Sequence, residues 1–214
     1  MKRIILYLAC SLMFAGCAMG QEDNEFATLP NPKPGESVAT FGGGCFWSMS
    51  EAMSELKGVD KVVSGYSGGT TQRPTYAEVC SDNTGHAETV QIYYDPKVIS
   101  FTTLATAFFF AHNPPELNYQ GPDQGLSYRS IAFYRTPDEK TILQDVIKKI
   151  NAEKHYPDAI VTQVVAYKAF YPAEKYHQGY YRLHPDQGYI AEVSLPKVMK
   201  FRSAMKAVLK PEFQ

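Results

Sequence analysis

Apolar and polar positions along this chain follow two different periods, and the changes of period mark out its elements. Phe46, Met49, Met53 and Leu56 recur at helical spacing, and Gly58 follows as a stop. Residues 37–41 form a short apolar run, read as a strand, which Gly42, Gly43 and Gly44 break. The order strand, glycine turn, helix places Cys45 at a helix N-terminus. Residues 59–66, closed by Gly68 and Gly69, predict a second strand. Between residues 86 and 94 the alternation is clear: Glu88, Val90, Ile92 and Tyr94 share one face, and Thr89, Gln91 and Tyr93 the other. Ser100 caps a predicted helix carrying Phe101, Leu104, Ala105 and Phe108, stopped by Pro114 and Pro115. A loop over residues 113–128 leads to a strand at 129–134. Thr136-Pro137-Asp138-Glu139 then reads as a capping box, opening a helix through Ile142, Val146, Ile147 and Ile150. Residues 160–165 predict another strand, and the aromatic tail from residue 171 is expected to be helical. Strands and helices mix without regular βα alternation, so the predicted fold is α+β. It is expected as a two-layer sandwich with a mixed sheet and a ferredoxin-like core, wrapped by the C-terminal tail.

The first residues follow a different logic. Lys2 and Arg3 precede an apolar run over residues 4–14 that is too short to span a bilayer, the pattern of a signal peptide over residues 1–20. Phe14-Ala15-Gly16-Cys17 resembles a bacterial lipobox, which implies lipidation of Cys17 as the mature N-terminus. Ordinary cleavage after Ala18-Met19-Gly20 is the alternative. Either route implies export, to a position facing the periplasm or the cell exterior. Residues 21–36, with Pro30, Pro32, Pro34 and Gly35, read as a flexible linker, and residues 37–214 as a single domain.

Composition narrows the function. The 214 residues carry a net charge of -1, so no basic field draws in nucleic acid. Lys148, Lys149, Glu153 and Lys154 read as a solvated helix face. With Cys10 in the leader and Cys17 at its end, only Cys45 and Cys80 remain, too few for a disulfide scaffold, although one bridge between them stays open. His86, on the same predicted strand face as Glu88, has no partner at ligand spacing, so no metal is expected.

Two residues then stand out chemically. Unpaired N–H groups and the dipole at a helix N-terminus favour a thiolate at Cys45, so its pKa is expected to be lowered. Glu88 lies on an apolar strand face, where lost hydration disfavours its charged form and leaves a proton to donate near neutral pH.

The motifs around these residues resemble the A-type peptide methionine sulfoxide reductases. Gly43-Gly44-Cys45-Phe46-Trp47 is similar to that family's GCFW block. Gly65-Tyr66-Ser67-Gly68-Gly69, Pro74-Thr75-Tyr76-Ala77-Glu78-Val79-Cys80 and Thr84-Gly85-His86-Ala87-Glu88 follow in the family's order. So do Asp123-Gln124-Gly125, Tyr128-Arg129-Ser130 and the run from Phe170 to Gln178. The resemblance covers roughly residues 38–202. It implies Cys45 as nucleophile, Glu88 as general acid, Tyr76, Tyr128 and Asp123 as the polar cluster around the sulfoxide oxygen, and Phe46 and Trp47 as apolar walls for the substrate methyl. It implies a thiol-dependent peptide-methionine (S)-S-oxide reductase, an oxidoreductase of protein repair under oxidative stress, working through a Cys45 sulfenic acid. No bound cofactor is expected, only an external thioredoxin-like reductant, with oxidised proteins or peptides as substrates. The protein is expected to be a monomer held at the membrane by its lipid alone.

Part of the pattern departs from many relatives. Gly188-Tyr189-Ile190-Ala191 stands where a tail cysteine is common, and no cysteine follows Cys80. Ser48, Asn113 and Pro122 are smaller departures. Cys80 is expected to pack as a small hydrophobe rather than to resolve the oxidised Cys45, and His177 to serve as a structural hydrogen-bonding residue. Two other functions compete: a cysteine hydrolase pairing Cys45 with His86, and a lipoprotein binding module without chemistry.

Overall fold

The computed structural model describes residues 25–214; the leader, Cys17 and the start of the expected linker lie outside the described residues. The elements run β1 (Ser37–Gly42), α1 (Phe46–Ser54), β2 (Val59–Ser67), then α2 (Tyr76–Cys80), β3 (Ala87–Tyr94), α3 (Phe101–Phe110), the two-residue strands β4 (Tyr119–Gln120) and β5 (Asp123–Gln124), and β6 (Ile131–Tyr134). α4 (Pro137–Ala152), β7 (Gln163–Ala166), β8 (Phe170–Pro172), α5 (Tyr180–Leu183) and α6 (Leu195–Met205) complete the chain. The sheet runs β7-β6-β1-β3-β2-β8, antiparallel except for the parallel β6–β7 pair. Within it β1, β2, β3 and β6, with α1 and α3 as crossovers, reproduce the split βαββαβ order of a ferredoxin-like core.

The main core lies between this sheet and its helices. Phe41, Val90 and Ile92 from the strands meet Phe46, Met49 and Met53 of α1, Leu104 and Phe108 of α3, Leu143 of α4 and Phe201 of α6, all buried. The predicted face of β3 is therefore the core face. Its other face is buried as well, because Leu29, Val38 and Tyr167 cover Val63, Tyr93 and Phe170.

That covering corrects the linker expectation from residue 25 onward. Ala27 N–H donates to the Ala173 carbonyl at 2.9 Å, Lys175 N–H donates to the Glu25 carbonyl at 2.7 Å, and the Pro30 carbonyl accepts from Tyr93 Oη at 2.8 Å. Prolines that keep a free chain extended also suit a strap laid along a sheet.

Several elements differ from the pattern reading. α1 stops at Ser54, a turn before Gly58. β6 and β7 begin two and three residues later than predicted. The loop before β6 contains the β4–β5 hairpin. At α4, Thr136 Oγ1 accepts from Glu139 N–H at 3.2 Å, but Glu139 returns its carboxylate to Arg135 N–H, so the box closes one residue early. The tail opens with a strand, β8, before turning helical: Tyr171 pairs with Tyr66, and Phe170 with Ser67.

β8 can pair this closely because Gly65 has no side chain: a Cβ there would stand 2.3 Å from the Tyr171 carbonyl and 2.5 Å from the Phe170 ring. We expect Gly65→Ala to force β8 off the sheet edge and to cost about 1–3 kcal/mol, the range for overpacked sites. Urea unfolding checks this; an unchanged midpoint would mean that β8 gives way freely.

Candidate active site

The glycine turn after β1 aims the start of α1 at the end of β3. Gly44 takes φ +83°, in the left-handed region that glycine enters without steric cost, and its N–H donates to the Tyr128 carbonyl at 3.1 Å. Cys45 is the N-cap of α1, with no side-chain cap of its own. The first free N–H of the helix, that of Phe46, instead donates to Glu88 Oε2 at 2.9 Å. A carboxyl group on a core strand thus caps the nucleophile's helix from across the layer.

Both acids are withdrawn from water, Cys45 at 6% exposure and Glu88 at 2%. Burial raises Glu88 to about 8, opposed by the Phe46 N–H bond and raised further by the charge of Asp123. The expectation of a protonated carboxyl near neutral pH agrees with this. The lowered thiol pKa does not: burial, and then the Glu88 carboxylate, push Cys45 well above the usual thiol range, outweighing the bond to the Trp47 backbone. Desolvation of a wholly buried sulfur exceeds the local pull of one helix terminus. In the resting site sulfur and carboxyl both hold their protons.

The residues expected to carry catalysis and to hold the substrate methyl meet here. Cys45, Phe46, Trp47, Tyr76, Glu88, Asp123 and Tyr128 line one cavity of about 240 Å3. A larger recess of about 420 Å3, at the Val59 end of β2, is lined by Lys33, Asp60 and Lys97 and contains no cysteine. Burial and the Glu88 charge raise Tyr76 and Tyr128, so both phenols stay protonated donors. α2 sets Tyr76 in place: Thr75 and Glu78 form a reciprocal capping box, and Tyr76 N–H donates at 2.8 Å to Glu174, whose other oxygen accepts from Tyr66 Oη at 3.0 Å. Trp47 stacks on Tyr180 at 3.9 Å and donates through Nε1 to His177 Nδ1 at 3.1 Å. Burial lowers His177 to about 4, so this acceptor is a neutral ring.

Two lining residues were not anticipated, Gln187 and Tyr189, from the stretch between α5 and α6. Tyr189 Oη donates to Asp123 Oδ2 at 2.6 Å and is hydrogen-bonded with the Cys45 thiol. Tyr189 stands beside the missing tail cysteine, but only the fold of the tail reveals its reach.

Two further expectations fail. His86 precedes β3, so strand parity does not carry to it. Its ring bonds Gly69 N–H and the Thr71 carbonyl and lines a separate cavity with Phe133 and Val165, away from Cys45. A Cys45–His86 hydrolase therefore has no base. Cys80 is exposed at the end of α2 rather than packed in the core, and its thiol bonds the Tyr76 hydroxyl; both cysteines are free. Among the described residues no cluster of three or more His, Cys, Asp or Glu is placed to hold a metal.

Residues 37–209 match the model of the family described as peptide methionine sulfoxide reductase. The chain belongs to that family. It is 46% identical over 175 residues to the peptide methionine sulfoxide reductase MsrA of Polynucleobacter asymbioticus, covering 82% of this chain and 92% of the relative. With the MsrA of Leptospira borgpetersenii it shares 48% over 163 residues, 76% of this chain and 92% of that one. Among solved structures, the reduced form of Mxr1 from Saccharomyces cerevisiae superposes with a TM-score of 0.70 at 30% identity, over 76% of this chain and 92% of that one. The methionine sulfoxide reductase A of Corynebacterium diphtheriae gives 0.64 at 27%, over 77% and 90%. As a peptide methionine sulfoxide reductase, the protein is a thiol-dependent oxidoreductase, which removes the reading of a binding module without chemistry.

The unusual state of Glu88 can be observed directly. With glutamate labelled at the side-chain carboxyl carbon, the Glu88 resonance is expected to titrate with a midpoint near pH 8. A midpoint below pH 6 would contradict the burial argument.

Proposed function

We propose that Cys45 attacks the sulfur of the S-epimer of methionine sulfoxide while Glu88 protonates the departing oxygen. The observation that carries this is the cavity itself, where a thiol, a protonated carboxyl and two phenols converge beside apolar walls. The substrate has the matching halves: a polar S=O and an apolar S-methyl.

Cys45 Sγ first bonds to the sulfoxide sulfur as Glu88 protonates the oxygen; the S–O bond and the new S–Sγ bond then break together as the oxygen passes to Sγ. Methionine leaves with its sulfur reduced by two electrons, and Cys45 becomes a sulfenic acid, oxidised by two. Oxygen gains negative charge as the bond weakens. The Glu88 proton and the Tyr76 and Tyr128 hydroxyls meet that charge where water is scarce. The thiol proton restores the carboxyl, so the step is neutral overall. Phe46 and Trp47 hold the methyl, and Asp123 fixes Tyr189 at the sulfur.

Recycling falls to an external thiol of thioredoxin type, since no cysteine follows Cys80. Exposure of Cys80 removes the packing argument against its acting as resolving thiol, but its bond to Tyr76 sets it behind a phenol of the pocket wall. Direct attack on oxidised Cys45 is the simpler route. Lys2, Arg3, the short apolar run and the lipobox-like Cys17 support an exported, lipid-anchored protein that repairs envelope proteins.

A single assay with resolved epimers and dithiothreitol tests this. The S-epimer is expected to be reduced and the R-epimer not. Cys45→Ser should abolish turnover, because a serine hydroxyl is a poor nucleophile at neutral pH. Glu88→Gln should slow the single-turnover step by roughly 10²–10⁴-fold, the range for a positioned general acid. Equal rates on both epimers, or substantial turnover by the serine variant, would overturn the proposal.

A further inference from the structure

Gln187 and Tyr189 stand at the start of a helical stretch that runs through a π-helical turn (Ile190–Ser194) into α6, and both flanks of that start are tied to one other helix. On the N-terminal side, Arg182 of α5 bonds Glu51 through Nε at 2.7 and 3.0 Å and Ser54 Oγ through Nη2 at 3.0 Å. On the C-terminal side, Arg202 of α6 grips Glu55 with both arms of its fork, Nε at 2.9 Å and Nη2 at 2.6 Å. Glu51 and the cap residue Glu55 are buried, at 6% and 0% exposure. Phe213 joins the two pairs: its ring lies 5.7 Å from the Arg182 guanidinium and 5.2 Å from that of Arg202. The helix so gripped is α1, whose other end is Cys45. The attachment points lie about 9 and 15 Å from the nucleophile along the axis, at the usual rise per residue.

Apolar packing already holds the tail down, since Val198, Phe201 and Met205 of α6 are buried. Such contacts tolerate sliding and rotation, whereas a forked arginine on a carboxylate fixes direction and register. Burying two carboxylates near each other also raises Glu51, through lost hydration and the neighbouring Glu55, against the pull of Arg182. An arrangement this demanding of desolvation is a poor source of net stability, and its attested use is to select one geometry.

We infer that Glu51, Glu55, Arg182, Arg202 and Phe213 form a clasp that references the tail to the nucleophile's own helix, and that these positioning residues keep Gln187 and Tyr189 in register with the Cys45 sulfur. This rests on the reductase reading, because the segment so held completes the sulfoxide pocket.

The protein reports on its own tail. Trp47 is its only tryptophan, and it stacks on Tyr180, two residues from Arg182, and meets Tyr189 edge-on at 5.8 Å. The test uses the full chain and the paired variants E51Q/R182Q and E55Q/R202Q, which remove charges in neutral pairs and leave no lone buried ion. Each is followed by circular dichroism, Trp47 emission, and kcat and KM on a methionine S-sulfoxide dipeptide with dithiothreitol. Folded paired variants are expected to show shifted Trp47 emission and a kcat/KM lower by about tenfold or more, with KM raised, as small misplacements of site groups produce. The milder Arg202→Lys keeps the charge but loses the fork. It is expected to fold, to shift the emission the same way, and to lose about three- to tenfold in kcat/KM. A lower melting temperature with unchanged emission and kcat/KM, in the paired variants or in Arg202→Lys where those do not fold, would overturn the clasp. Failure of the unaltered chain to reduce sulfoxide would instead overturn the reductase reading, while the emission shift is read without turnover.

Discussion

One hydrogen bond, from Phe46 N–H to Glu88, joins the two halves of this site and sets their chemistry. It satisfies a helix donor that Cys45 leaves uncapped, so α1 and β3 cannot drift apart without exposing a buried N–H group and a buried acid. The same closeness means that ionising either group disfavours ionising the other. Burial adds to this, lifting Glu88 to about 8 and Cys45 further. The resting enzyme thus stores a thiol and a carboxylic acid side by side. A sulfoxide oxygen is the group that can take the acid's proton and relieve the constraint.

The fold supports that bond from both sides of the sheet. The ferredoxin-like order places β3 at the centre, flanked by β1, which leads into the glycine turn, and by β2, which carries Tyr66 opposite Glu88. Behind the sheet, the strap from residue 25 and the Tyr167 segment close off β3 from water. In front, α1 delivers Cys45 and the tail closes the pocket. Tyr66 and Tyr76 share Glu174, so α2 and the tail meet at one buried carboxylate beside the site.

Elements with a long and regular pattern were legible in the sequence: β1, β2, β3, α3 and α4 lie where periodicity and caps put them, and α1 starts there but stops a turn short of Gly58. β8 is three residues ending in proline, too short to show a period, and exists because Gly65 admits it. α2 left a signal in Thr75 and Glu78, but no apolar run followed to mark a helix. Glu88 was legible because a carboxylate on an apolar strand face is anomalous by itself. Tyr76, Tyr128 and Asp123 entered through family resemblance alone, since nothing in their spacing marks a site. Gln187 and Tyr189 depend on ion pairs spanning well over a hundred residues, which no local pattern carries. The thiol expectation failed for a related reason: a helix terminus is visible in sequence, whereas the burial that overrides it is not. His86 failed because parity was extended one residue beyond the strand.

Attack of Cys45 on the sulfoxide sulfur, with the oxygen ending on Cys45 itself, is the central step of this enzyme, and one experiment addresses it. The reduced full chain is mixed with one equivalent of a methionine S-sulfoxide peptide, without reductant, in the presence of dimedone. Released methionine peptide is quantified and the modified cysteine mapped. The account predicts close to one methionine per chain, a dimedone adduct on Cys45, and an unmodified Cys80 thiol. Absence of methionine release, or loss of both thiols in a Cys45–Cys80 bridge, would contradict it.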